Sequence, residues 1–192
     1  MPGQTPSQTV GPFFSIGLID GGENVMVDER AHGERILIEG RVLDGEGEPV
    51  LDALVEIWQA DASGLFNHES DPRQAQADPH FKGFGRSETK ETGRFWFRTV
   101  RPGPIPARGD EGVTQAPHVN VTVFARGMLI HAVTRIYFEE EEANAQDPLL
   151  ASLPDDRRQT LIARREQAAD GLARYCLDIV LQGEGETVFF DV

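Results

Sequence analysis

The sequence predicts a mainly β fold: an antiparallel β-sandwich with an extended N-terminal arm, a long irregular loop and one short C-terminal helix. Three observations carry this expectation. Six or seven short runs alternate apolar and polar residues with a period of two. Turn signals separate them, with 20 Gly and 12 Pro in 192 residues. One segment alone combines helix-start signals with an amphipathic continuation.

Residues 1–33 are rich in Gly, Pro, Thr and Gln and have little periodicity, so they read as an arm, with the β domain following over 34–192. Such an arm cannot bury Phe13, Phe14 and Ile16 by itself, which sends it onto its own core or, as we expect, onto a partner chain. Ile36, Ile38 and Val42 alternate as in a half-buried strand, and Asp44-Gly45 marks the turn after it. Val55 and Ile57 form a second run ending in Trp58, and Phe95 and Phe97 a third, entered through Glu91-Thr92-Gly93. Val119, Val121 and Val123 form a fourth, and Ile130 to Phe138 a fifth. Cys176 to Leu181 reads as a strand buried on both sides, and Thr187 to Phe190 closes the set. Residues 60–90 show almost no period, and a loop of that length in a compact domain is usually functional or partner-bound. Ser152-Leu153-Pro154-Asp155-Asp156 offers a cap, an early proline and first-turn acids, so a helix is expected over roughly 154–168. Glu139 to Glu142 reads as a solvated acidic loop.

Charge and composition exclude several functions. With 18 Lys+Arg against 32 Asp+Glu the net charge is −14, which disfavours nucleic acid and anionic membrane surfaces alike. Apolar residues at 39% still supply a core, and no apolar run approaches the ~20 residues of a membrane span. The N-terminus shows no secretory pattern, and the single cysteine, Cys176, excludes an internal disulfide framework, so a reducing cytoplasm is expected. There is no Gly-rich phosphate loop, no Gly-x-Ser-x-Gly elbow and no His-Glu-x-x-His.

The residues that could carry chemistry form an incomplete set. Pro102-Gly103-Pro104-Ile105-Pro106 reads as a stiff extended loop. His118 and Asn120, two apart on a strand, share one face opposite Val119 and Val121. His-x-His there would make a metal-ligand pair, whereas an amide is a poor transition-metal ligand. His118 therefore reads either as one ligand of a site or as a hydrogen-bonded strand residue. His68 and His80 read as surface residues, His131 as a core or interface histidine, and Cys176 as an inert core thiol.

Several stretches taken together resemble the intradiol ring-cleavage dioxygenases: Val55 to Gly64 (Val-Glu-Ile-Trp-Gln-Ala-Asp-Ala-Ser-Gly), Phe84-Gly85-Arg86, Arg101-Pro102-Gly103-Pro104 and Ala116-Pro117-His118-Val119-Asn120. Thr5 to Phe13 and Gly183 to Asp191 are similar to the alpha chains of the two-chain members, so the likeness runs from about residue 5 to 192. The resemblance implies that 3,4-dihydroxybenzoate is opened between its hydroxyls by O₂, on a ferric ion held by two tyrosines and two histidines of a beta chain. Carried onto this chain, the tyrosine positions hold Phe66 and Ile105, the histidine pair falls on His118 and Asn120, and a catalytic arginine falls on Gln115.

Ferric iron is hard and highly charged and wants anionic oxygen donors. Phe66 and Ile105 donate nothing and Asn120 is neutral, so this degenerate site is expected to hold no metal, and the chain alone is expected to be inactive. The resemblance further implies an alpha–beta protomer in a higher (alpha-beta)n oligomer. In it this chain's Thr9, Gly11, Pro12 and Phe13 wall the beta chain's pocket, and Arg135 faces the substrate carboxylate. Two other readings stay open: a single-chain enzyme using His68, His80 and His118, and a transthyretin-like β-sandwich binding module without enzymatic activity.

Overall fold

The computed structural model describes residues 17–107, 112–167 and 171–191. Strands β1 (Arg35–Leu43), β2 (Leu54–Trp58), β3 (Phe84–Glu88) and β4 (Arg94–Val100) are followed by a two-residue pair, β5 (Ile105–Pro106) and β6 (Thr114–Gln115). Then come β7 (His118–Phe124), β8 (Ala132–Phe138), β9 (Ile162–Gln167), β10 (Ala173–Cys176) and β11 (Ile179–Val180). Two four-residue helices, α1 (Pro148–Ala151) and α2 (Asp155–Arg158), lie between β8 and β9.

Two layers form. β3-β2-β7-β8 pair antiparallel, and β4 and β10 flank β1 in the other layer. β9 joins the layers, antiparallel to β10 and parallel to β8. At the free ends of this order, Ser87 Oγ of β3 accepts the Trp96 amide of β4 at 3.2 Å, so the sheet is nearly closed. The sandwich is not purely antiparallel, because β1 pairs parallel with both β10 and β11. Alternation places Ile36, Ile38, Val42, Phe95, Phe97, Val55, Ile57, Val119, Val121, Val123, Ile136 and Phe138 in one core. A smaller cluster of Ala116, Tyr137, Leu150 and Leu161 sits beside it.

Several expectations are corrected. The helix expected over 154–168 ends at Arg158; Gln159–Leu161 is one 3-10 turn and Ile162–Gln167 is β9. Pairing with β8, 25 residues earlier, and with the following strand β10 overrides the local helical pattern there. Ser152 caps nothing at that start; its Oγ donates to Leu149 O at the end of α1, and Asp147 is the residue that caps α1. The run Cys176 to Leu181 is two strands, broken where Asp178 turns to accept Arg41 N at 2.8 Å and Arg41 Nη2 at 2.6 Å. Gly40 makes the break possible, since a Cβ there would lie 1.8 Å from Leu177 O. Thr187 to Phe190 is extended but forms no ladder of its own, although Phe190 N donates to Val133 O.

The loop expected over 60–90 contains β3, whose inward residues are Gly85 and Ser87. A Cβ at Gly85 would meet Met26 Sδ at 2.8 Å, so the strand carries no apolar alternation to read. Met26 is fully buried, and its amide donates to Arg98 O at 2.9 Å. From about Asn24 the stretch before residue 34 packs on this chain's own core, while residues 1–16, which hold most of the expected arm, lie outside the described residues.

The acidic run Glu139 to Glu142 opens on a turn with Glu139, Glu140 and Glu142 exposed, as expected, and two of its members are also tied to Arg101. Arg101 donates to Glu140 Oε1 at 2.9 Å, to Glu141 Oε2 at 3.0 Å and to Tyr175 OH at 2.7 Å. The Tyr175 hydroxyl also donates to Glu140. His131 lies outside this chain's own core, exposed with its ring against Phe124. No helix among the described residues is long and apolar enough to cross a membrane.

Candidate functional site

The fold brings the degenerate set to one end of the β3-β2-β7-β8 layer. Register pairs Trp58 of β2 with Asn120 of β7, Asn120 with Arg135 of β8, and His118 with Tyr137. Directly paired residues share a face, so these five side chains form one surface. Phe66 covers it from the loop after β2, its ring stacked on Trp58 at 5.7 Å and 4°. The ring of His68 stands edge-on to Trp58 at 5.6 Å. Ile105 enters through the β5–β6 pair, opposite Gln115.

The shared Trp-Gln-Ala-Asp-Ala-Ser-Gly stretch is scaffolding for this arrangement. Buried Asp61 accepts the amides of Ser63 (2.8 Å) and Leu65 (3.0 Å) through Oδ1 and that of Asp78 (2.9 Å) through Oδ2. Gln59, also buried, donates to Ala60 O and Val100 O and accepts from Thr99 Oγ1. Gly64 has φ +74, and a Cβ on it would lie 2.2 Å from Pro104 O. Gly103 is equally confined, with a Cβ 2.5 Å from Gly64 N. These glycines let the 61–65 turn and the 102–104 loop touch, which brings Phe66 and Ile105 to one place. Asp71 fixes Phe66 by accepting its amide at 3.1 Å, and its carboxyl is held down at about 2 chiefly by hydrogen bonds from Arg73.

His118 is 4% exposed, and its Nδ1 donates to Ala116 O at 2.8 Å. A carbonyl can only accept, so Nδ1 carries the proton and Nε2 keeps its lone pair. Burial, reinforced by the nearby Arg135 charge, lowers the imidazole to about 4, so it is neutral at pH 7. Arg135 donates through Nε to Asn120 Oδ1 (3.1 Å) and through Nη1 to Gln115 Oε1 (2.7 Å) and Tyr137 OH (3.2 Å). Asn120 Nδ2 donates to Trp58 O at 3.4 Å, so both ends of its amide are used.

Beneath this face lies a residue the sequence reading missed. Asp147 is fully buried and accepts Ala116 N (2.9 Å), Leu149 N (3.0 Å), Leu150 N (3.0 Å) and Tyr137 OH (3.2 Å). It ties the approach to His118, the first turn of α1 and the Arg135–Tyr137 pair together. Asp147-Pro148, a cap residue followed by proline, was the available signal. Burial raises the Tyr137 hydroxyl well above its ordinary value, which keeps it a neutral donor.

The donor set does not fit a ferric ion. The Phe66 ring and the Ile105 branch have no lone pair, the Asn120 amide is fully engaged, and a guanidinium already occupies the face. One imidazole remains. Among the described residues no group of three or more His, Cys, Asp or Glu is gathered as metal ligands. His80, on the other side of the loop, pairs with Asp28 at 2.9 Å. The chain's sequence expectations therefore divide: Phe66, Ile105, Gln115, His118, Asn120 and Arg135 come together, while Thr9, Gly11, Pro12 and Phe13 lie outside the described residues.

A family model described as Dioxygenase matches residues 10–183, and the chain belongs to this family, the intradiol ring-cleaving dioxygenases. It is 43% identical to the protocatechuate 3,4-dioxygenase alpha chain of Pseudomonas putida, over 98% of this chain and 96% of that one. Against the alpha chain of Burkholderia cepacia the identity is 42%, over 98% of each. Against the B. cepacia beta chain it is 36%, over 86% of this chain and 72% of that one. In fold it is similar to the dioxygenase domain of a dioxygenase carbohydrate-binding protein fusion from Streptomyces sp. SirexAA-E. There the TM-score is 0.64 at 24% identity, over 93% of this chain and 98% of that one.

Proposed function

We propose that this chain is the non-iron-binding alpha subunit of a protocatechuate 3,4-dioxygenase, which opens 3,4-dihydroxybenzoate with O₂ to 3-carboxy-cis,cis-muconate. The observation that carries the reading is a pairing of two facts. The chain is similar to alpha chains over nearly its whole length, yet Phe66, Ile105 and Asn120 stand where metal donors would be needed. A ferric ion held by the beta chain would bind and activate the catecholate. This chain's own part is structural and electrostatic. Thr9, Gly11, Pro12 and Phe13 wall the partner's pocket, with Gly11-Pro12 allowing close backbone approach and Thr9 offering a hydroxyl. Arg135 supplies positive charge that offsets, near the pocket, the repulsion of an anionic substrate by a chain at −14. Alpha–beta protomers then assemble into a higher oligomer in the cytoplasm. A transthyretin-like binding module without an enzyme is disfavoured by the full-length relatives.

The test is reconstitution. Co-expression with a beta-type chain bearing the Tyr, Tyr, His and His donors should give a coloured ferric complex with one iron per alpha–beta pair that consumes O₂ with protocatechuate. This chain purified alone should be colourless. Stoichiometric iron retained by this chain alone would overturn the reading.

A further inference from the structure

We propose that two copies of this chain associate through the outer face of the β4-β1-β10-β9 strands, each setting an acidic, glycine-rich knob on the arginines of the other.

The face follows from register. β1 pairs Leu37 with Arg98, Glu39 with Trp96 and Arg41 with Arg94 of β4. On its other side it pairs Leu37 with Arg174 and Glu39 with Cys176 of β10, which pair in turn with Glu166 and Arg164 of β9. Directly paired residues share a face, and the alternate residues of β1 and β4 fill the core, so this set points outward. Its carboxylates are largely engaged: Asp178 accepts Arg41 at 2.6 Å and Glu39 accepts Arg174 at 3.2 Å. Arg94, Arg98 and Arg164 are exposed and make no ion pair among the described residues. Arg174 Nε is buried without an acceptor. A cavity of about 710 Å³ opens between Arg41, Arg94 and Arg164, and Glu166 is the one acid lining it whose carboxylate is tied to no donor among the described residues. A chain at −14 thus turns surplus positive charge outward here, around a Trp96 that is 40% exposed.

The matching surface lies on the same chain. The turns at 44–48 and 183–186 touch, since a Cβ on Gly183 would lie 3.1 Å from Gly45 O. They present Glu46, Glu48, Glu184 and Glu186, and neither 42–72 nor 175–192 contains a Lys or Arg. None of these four carboxylates pairs with a cation among the described residues. Exposed Leu51 stands just beyond the first turn. A Cβ on Gly93 would lie 2.4 Å from Pro49 Cβ, so the knob sits beside Arg94, at the rim of the arginine face. Within one copy these acids and arginines stay unpaired. A twofold axis at that rim brings each knob onto the other copy's face, with Leu51 against Trp96 and Leu37 as the apolar part.

Sedimentation velocity of the full chain at low ionic strength should show two copies at micromolar concentration. The pair should separate as salt rises toward 1 M, where the screening length is only about 3 Å. Arg94→Glu with Arg164→Glu should weaken the association by about tenfold or more, and so should Glu46→Lys with Glu48→Lys. Mixed in equal amounts, the two variants should pair again, because each contact then joins opposite charges. All four positions are exposed, so these variants keep the fold. A chain that stays single at every concentration, or variants that do not pair on mixing, would overturn the inference. So would a dimer that ignores salt and survives both sets of substitutions, which would place the contact on an apolar surface such as Leu129 and Ile130. The readout needs neither iron nor a beta chain, so its failure is distinct from failure of the proposed function.

Discussion

Removing the Asp147 carboxylate tests how the site is held. Its two oxygens accept four hydrogen bonds at 2.9–3.2 Å from fully buried surroundings, and it caps α1. Loss of a helix cap costs about 1 kcal/mol. A hydrogen bond to a charged group contributes about 1.5–3 kcal/mol, and a buried amide left without a partner costs about 1–3 kcal/mol. These terms overlap, because three of the four donors share Oδ1. For Asp147→Ala we therefore expect a loss of about 4 kcal/mol, a large share of the ~5–15 kcal/mol of an ordinary domain. With a urea slope near 2 kcal/mol/M, the unfolding midpoint should fall by about 2 M. Asp147→Asn keeps the oxygen that accepts three bonds and sets an amide donor against Ala116 N–H, so about half that shift is expected. Hydrogen exchange at the Ala116 amide should accelerate in both variants. An Asp147→Ala midpoint within about 0.3 M of the wild type would refute the view that this carboxylate holds the 115–118 segment.

Two further outcomes follow from the same geometry. His118 is held at about 4, below the ~6.5 of an unfolded histidine, so the unfolded chain binds the proton first as the pH falls. Its contribution is complete above about pH 6.5 and declines toward pH 4 by up to ~1.4 kcal/mol per pH unit; in His118→Gln the pH dependence of unfolding should be shallower across that window, and an unchanged slope would refute it. Gly64→Ala should destabilise the chain by more than about 1 kcal/mol, through positive φ and collision with Pro104 O, with the loss read as a lower unfolding midpoint.

The strands that could be read from the sequence are those whose inward positions are Val, Ile or Phe, as in β1, β2, β4 and β7. β3 was illegible because its inward positions are Gly85 and Ser87, chosen for Met26 rather than for apolar burial. β9 was misread because the acids and arginines around it favour a helix locally, and pairing with β8, distant in sequence, and with β10, which follows it closely, makes it a strand. The family pattern singled out Phe66, Ile105, Gln115, His118 and Asn120, and the fold brings these side chains to one end of a layer. The role of Arg135 on that same face was not legible, because its partners Gln115, Asn120 and Tyr137 are assembled by strand register rather than by any local motif. The acidic run at 139–142 shows the same limit: charge alone suggests solvent, and Arg101, about 40 residues earlier, turns two of its members into partners.

β10 and β11 lie along β1, with Ile36 beside Ala173 and Val42 beside Ile179, so the first strand of the domain cannot complete one of its edges until the end of the chain has been made. Contacts of such long sequence separation delay folding. A nascent chain still tethered to the ribosome would carry β1 half-zipped, with its apolar side and amide row open to the wrong neighbour. Premature termination near residue 170 would therefore leave not a shorter subunit but a sticky one.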